Sequence, residues 1–193
     1  MSPFGSAPSQ PPVPSLPAYP GWLAAYWQSW RASQPDASLD GALAQVRELR
    51  DRGLDDDAFV VACEFMERAA AQVVADNTPH NIARHWPAMA TLLVEEVIGV
   101  TWSEDSVHWE LRLEPPMGLR GLQIAGATIS LIAEVDTGAG VIVAVETTAP
   151  FDLTIRTEFT TFQERVPAGH TRYLLTYLDR TDIFTGNVHL TSQ

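Results

Sequence analysis

The spacing of the apolar residues changes near Gly99. Before Gly99 they recur at helical intervals, at Trp86, Met89, Leu92, Leu93, Val97 and Ile98. After it they alternate with polar residues, at Val107, Trp109, Leu111 and Leu113. A period near 3.6 that gives way to a period of 2 is typical of a helix that runs into a strand. We therefore expect helices before this junction and a sheet after it.

Four helices are predicted before the junction. They cover Trp22–Ser33, Ser38–Asp51, Asp55 to about Ala75, and Pro87–Gly99, and Gly53 is expected to end the second. Three consecutive aspartates, residues 55–57, begin the third helix, where its dipole favours negative charge over a metal cluster. The apolar spacing places one stripe of the third helix inward, and that stripe comprises Phe59, Cys63, Met66, Ala70 and either Val73 or Val74.

Short alternating runs follow the junction and predict an antiparallel β-sandwich or meander. The runs are 107–113, 119–124, 128–133, 141–145, 153–159 and 173–177, and residues 179–193 either add an edge strand or fray. Seven of the fourteen prolines lie in residues 1–20, which predicts a disordered tail. The expected fold class is α+β, with a helical region at 21–100 and a β domain at 101–193.

Composition narrows the choice of partners. The formal net charge of −12 repels phosphate backbones, so nucleic acid is not expected as a partner. All twelve basic residues are arginine, which excludes Schiff-base chemistry and indicates a high-GC bacterial genome. The chain has no run of apolar residues that would span a membrane and no signal-peptide pattern, so a cytoplasmic protein is expected.

An aromatic stripe marks the first helix. Trp22, Tyr26, Trp27 and Trp30 lie on one helical face. The stripe either packs into the core, which is the more common role, or lines a sugar subsite by stacking on pyranose rings.

The loop at residues 76–81 carries the densest polar chemistry. Asp76 is a candidate catalytic base, and His80, His85 and Trp86 are candidate substrate-binding residues. The alternative is that Asp76 ends a helix and both histidines are surface residues. The histidines lack the spacing of a metal site, and we expect no metal and no cofactor. The single cysteine, Cys63, is expected to be a buried thiol rather than a nucleophile.

Three segments carry a resemblance to a known family. The first has Trp86, Leu92, Leu93, Glu95 or Glu96, and Gly99; the second has Gly118-Leu119-Arg120, Leu122, Gly126-Ala127-Thr128 and Leu131; the third has Val145-Glu146-Thr147 and Pro150-Phe151. In residue pattern and in order along the chain, they resemble the carboxyl-terminal part of bacterial six-hairpin glycoside hydrolases. These are (α/α)6 toroids of the mannosylglycerate hydrolase, trehalase and glucosidase type. The opening Tyr26-Trp27 and Trp30 pattern is also similar to the start of such toroids.

The resemblance implies glycosidic bond hydrolysis by two carboxylates across a cavity. A toroid has about twelve helices, and the central hairpins that would supply the general acid are missing here. The late general base corresponds only to Asp76-Asn77-Thr78-Pro79, which has Asp for Glu and is one residue short of the usual spacing.

Three hypotheses for the function follow. The chain is a truncated or degenerate glycosidase-like protein with little activity alone, or a non-catalytic module that binds a carbohydrate or a protein. In the third hypothesis, homo-oligomerisation covers exposed helical faces and completes a catalytic cavity.

Overall fold

A computed structural model describes residues 13–31, 37–76, 86–137, 140–176 and 188–190. The chain divides into two compact units. The helical unit comprises Ala18–Val97, and the β unit comprises the chain up to Pro17 together with the chain from Ile98. The fold is mixed α+β, as the sequence predicts.

The helical unit contains four helices: α1 (Pro20–Arg31), α2 (Ala37–Asp51), α3 (Asp55–Asp76) and α4 (Trp86–Ala90). The apolar spacing of α2 predicts an inner face of Leu39, Leu43, Val46 and either Leu49 or Leu54. The first three are buried, which confirms that part of the prediction, whereas Leu49 is half-buried and Leu54 is exposed. The amide of Leu54 donates to the carbonyl of Leu49, and Gly53 has a φ of 72°. This left-handed glycine closes α2, as predicted, and α3 starts two residues later.

The buried face of α3 differs from the predicted stripe. Small residues dominate it, and its buried side chains are Ala58, Ala62, Phe65, Met66, Ala69 and Ala70. Phe59 and Cys63 are only half-buried, so their prediction as inward residues is wrong. The alanines allow close packing: a Cβ atom on Gly21 of α1 would stand 3.0 Å from the Cβ of Ala70. Close packing of small side chains therefore outweighs the larger apolar residues in orienting α3.

The last helix changes its winding. Helix α4 is α-helical for five residues and continues as a π-helix over Thr91–Ile98, which we call the π segment. Seven of these eight residues are buried, and Glu95 alone is half-exposed. Because nearly all of its residues are buried, the segment has no solvent-facing stripe that would reveal its winding. The predicted 3.6-residue period is therefore wrong over these residues, although Gly99 does follow the last helical residue.

A six-stranded antiparallel sheet forms the first half of the β unit, in the order β1-β4-β5-β6-β9-β10. Its strands are β1 (Val13–Ser15), β4 (Met117–Ile124), β5 (Ala127–Asp136), β6 (Gly140–Thr147), β9 (Gly169–Thr176) and β10 (Val188–Leu190). Strand β1 pairs with β4, so residues 13–15 of the predicted tail are ordered strand. Strand β10 lies at the edge of the sheet, which confirms the edge-strand alternative for the last segment.

The second sheet has four strands in the order β2-β3-β7-β8. They are β2 (Val100–Trp102), β3 (Ser106–Glu110), β7 (Phe151–Arg156) and β8 (Thr161–Val166). Strands β3 and β7 pair in parallel, so the expectation of a wholly antiparallel arrangement is wrong here. The rings of Phe162 on β8 and Tyr173 on β9 lie 4.7 Å apart, which joins the two sheets through their buried faces.

None of the described helices combines the length and the hydropathy that a membrane-spanning segment requires.

Candidate functional site

The predicted catalytic loop falls largely outside the described residues. His80 and His85 lie in the undescribed range 77–85. Asp76 is the last residue of α3 and Trp86 is the first residue of α4, and the side chains of both lie outside the description. The roles of Asp76, His80, His85 and Trp86 therefore stay predictions.

Two residues of the aromatic stripe of α1, Trp22 and Tyr26, belong to the core, whereas Trp27 is half-buried and the side chain of Trp30 lies outside the described residues. Trp22 is 4% exposed and Tyr26 is 1% exposed, and α1 packs on α3 and α4. The Trp22 ring stacks on Tyr19 at 4.2 Å between centroids, and its Nε1 donates to Glu67 Oε1 at 3.0 Å. With its faces covered, Trp22 offers no surface for a pyranose ring. The core interpretation is confirmed for Trp22 and Tyr26.

Two adjacent carboxylates occupy the π segment. Glu96 is 8% exposed, and its Oε2 accepts a hydrogen bond from Arg50 Nε at 2.5 Å. The Nη1 atom of the same guanidinium donates to Asp55 Oδ1 at 2.8 Å. Burial alone would lower the pKa of Arg50, but Glu96 and Asp55 outweigh it and raise that pKa. Arg50 thus ties the end of α2 to both the π segment and the start of α3.

Glu95 lies beside this ion pair in a different environment. Its Oε1 atom is buried and accepts no hydrogen bond within the described residues. Burial, followed by the charge of Glu96, raises the pKa of Glu95 from 4.5 to about 7. The charge of Arg47 and a hydrogen bond from Thr91 act in the opposite direction. Glu95 therefore exchanges a proton near neutrality.

The pair does not have the geometry of a glycosidase. Hydrolysis requires two carboxylates on opposite sides of a sugar, about 5–10 Å apart. Glu95 and Glu96 are sequence neighbours on one helix, and Glu96 already binds Arg50. This arrangement is typical of a structural ion pair, here Glu96 with Arg50, beside a second glutamate that can titrate. Within the described residues, no cluster of three His, Cys, Asp or Glu side chains is arranged to hold a metal ion.

Replacing Glu95 with glutamine is expected to make the helical unit more stable above neutral pH. The pKa of Glu95 is higher in the folded chain, so folding favours the protonated form, and stability falls as pH rises through about 7. After allowance for solvent screening of this half-exposed side chain, the gain of Glu95→Gln at pH 8 is about 2 kcal/mol. Below pH 4.5 the gain should vanish.

Urea unfolding of the unchanged chain and of Glu95→Gln measures the difference in their free energies of unfolding. The measurements run from about pH 4 to about pH 9, which spans the titration of this carboxyl. The matched control is Glu64→Gln, which alters an exposed glutamate of the same unit. A gain that is the same at every pH would contradict the prediction.

A groove runs along the exposed side of α3. Its volume is about 470 Å³, and it is lined by Trp22, Phe59, Val60, Cys63, Glu64, Glu67 and Arg68. We call it the α3 groove. Val60 is 52% exposed, and neither Glu95 nor Glu96 lines the groove. The groove thus offers an apolar floor with charged margins, separate from the titratable pair.

The apolar pattern of α3 does not predict this groove, because its spacing places Phe59 and Cys63 in the core. The available signal was Val60, an apolar residue outside the predicted inward stripe that has Asp56, Asp57 and Glu64 three or four positions away, on its own face of α3. An unpartnered apolar residue among charges on a helix is a reason to look for a surface site.

Comparisons of the chain with protein-family models, with curated proteins and with solved structures give no match.

Proposed function

We propose that this chain is a glycoside-hydrolase-like protein of carbohydrate metabolism with little hydrolytic activity alone. The proposal rests on the resemblance to the carboxyl-terminal part of six-hairpin glycosidases. The observation that supports low activity is the ion pair of Glu96 with Arg50. Glu96 is held by Arg50, and Glu95 is its sequence neighbour on the same helix instead of lying across a cavity from it. Four helices followed by a β-sandwich are in the order that the resemblance implies.

The purified chain is expected to cleave aryl glycosides and mannosylglycerate no faster than a protein-free buffer does. The physical reason is that one carboxylate without an opposing partner does not both protonate the leaving group and activate water. Release of nitrophenol and of free mannose measures the rate. Asp76→Ala tests the candidate base, and Asp57→Ala, an exposed aspartate of the same helix, is its matched control.

A rate above buffer that Asp76→Ala abolishes and Asp57→Ala preserves would overturn the proposal of low activity. The same assay at high protein concentration, with native mass spectrometry alongside, tests the oligomer hypothesis. Turnover that appears only with an oligomer would replace the degenerate glycosidase with a cavity completed between copies.

A non-catalytic binding module is the second candidate function. The α3 groove favours it, because the groove combines exposed Val60 with charged margins. Burial of Trp22 argues for a protein partner over a carbohydrate, since sugar binding commonly uses an exposed aromatic face.

A further inference from the structure

We propose that the α3 groove binds a basic amphipathic α-helix of another protein. This inference deepens the binding-module candidate and depends on it. It is independent of whether the chain hydrolyses glycosides.

The shape of the groove suits a helix. Phe59, Val60 and Cys63 are the apolar residues that α3 contributes to its lining, at spacings of one, three and four residues, and we call them its apolar floor. Apolar residues of a partner helix at the same spacing can pack into such a floor. The groove is open to solvent, whereas small-molecule sites bury most of their ligand. An elongated partner laid along α3 would cover it, and a compact small molecule would not be enclosed.

The charge around the groove selects the sign of the partner. Glu64, Glu67 and Arg68 line the groove, and Asp56 and Asp57 lie exposed four and three residues before Val60, on the same face of α3. Four carboxylates and one guanidinium give this face a formal charge of −3. Lysine or arginine residues flanking the apolar stripe of a partner helix would complement that charge.

The same charge argues against other occupants. A second copy would place two acidic faces together, and the whole chain carries a net charge of −12. Nucleic acid and anionic lipid surfaces are repelled for the same reason. A basic helix therefore satisfies both the apolar floor and the acidic margins.

The probe is a fluorescein-labelled peptide of about 18 residues with leucine at helical spacing and lysine on the flanks. Fluorescence anisotropy should show saturable micromolar binding that weakens with added salt. A scrambled peptide of the same composition, which has no apolar stripe, should bind much more weakly. Equal binding of the two peptides would reveal unspecific charge attraction and overturn the proposal.

Variants locate the contact. Val60→Asn should weaken binding roughly fivefold, because the partner loses part of the apolar floor. Its matched control is Val135→Asn, at a valine of the β unit that is 47% exposed and should leave affinity unchanged. Glu64→Arg should also weaken binding, whereas Glu158→Arg, at an exposed glutamate of the β unit, should have much less effect. Circular dichroism checks that each variant is folded.

Cys63 provides a readout at the site, because it is the single cysteine of the chain and lines the groove. Saturating peptide should slow the reaction of Cys63 with a thiol reagent several-fold. Peptide binding without this protection, or dimerisation of the chain that Val60→Asn abolishes, would overturn the proposal. Absence of binding would reject this occupant and leave the glycoside assay unaffected, so the two proposals fail separately.

Discussion

Replacing Arg50 with methionine is expected to lower the free energy of unfolding of the helical unit by about 3 kcal/mol. The guanidinium donates to Glu96 at 2.5 Å and to Asp55 at 2.8 Å. Methionine keeps much of the apolar stem but removes both hydrogen bonds, and it leaves the charge of Glu96 in a site that is only 8% exposed. The cost comes mainly from that uncompensated buried carboxylate.

A double-mutant cycle separates the ion pair from the packing. Arg50→Met combined with Glu96→Leu should recover most of the lost stability, because no buried charge remains. The control is Arg52→Met, since exposed Arg52 faces Glu48 at 3.9 Å and such a pair contributes at most about 0.5 kcal/mol. Unfolding in urea, monitored by circular dichroism, gives the free energy of unfolding of the unchanged chain, of Arg50→Met, of Glu96→Leu, of the double variant and of the control. If Arg50→Met and Arg52→Met lowered the free energy of unfolding equally, Glu96 would not stabilise the fold through Arg50.

The expected loss of stability on removal of Arg50 bears on function, because it identifies a structural role for Glu96. A carboxylate that stabilises the fold through Arg50 is not available to activate water at a sugar. Loss of stability on removal of Arg50, with no glycosidase activity gained or lost, is the pattern expected of a structural ion pair.

Replacing Gly99 with alanine is expected to destabilise the β unit by about 3 kcal/mol. Gly99 has a φ of 82°, and a Cβ atom there would lie 2.1 Å from the carbonyl oxygen of Glu110. The amide of Glu110 donates to the Gly99 carbonyl at 2.9 Å, so the two backbones are held together. Alanine would be strained in this left-handed conformation and would also push β3 away.

Gly126→Ala is the matched control for this substitution. Gly126 has nearly the same φ, 83°, but no atom lies within 4 Å of its added Cβ. Gly126→Ala should lower the free energy of unfolding only by the conformational cost of the left-handed backbone, about 1 kcal/mol. Thermal unfolding followed by calorimetry compares the two variants. Equal losses would show that the contact with Glu110 is accommodated, contrary to the expectation.

The local elements follow from local patterns. The apolar spacing of Leu39, Leu43 and Val46, followed by Gly53, predicts α2 and its end because these residues interact within a few positions of one another. Alternation predicts the central strands of the large sheet for the same reason. The change of period at Gly99 marks the boundary between the last helix and β2, which the structure places directly after this glycine.

The candidate site could not be predicted from local sequence patterns. Glu95 and Glu96 are visible in the sequence as neighbouring acids, but the partner that distinguishes them, Arg50, lies 46 positions from Glu96. Burial and the charge of Glu96 raise the pKa of Glu95 to about 7, whereas Glu96, the more buried of the two, is held by Arg50. The α3 groove likewise depends on which face of α3 the alanines turn toward α1 and α2.

By itself, the sequence determined an α+β chain with an acidic surface, four helices before Gly99 and short strands after it. Tertiary structure alone decided the parallel pairing of β3 with β7, the pairing of β1 with β4, the π winding and the partial burial of Phe59 and Cys63. Each of these depends on residues far apart in the chain whose packing and hydrogen bonding override the local pattern. The periodicity of the sequence predicts which residues are buried. The tertiary structure determines which other residues they pack against.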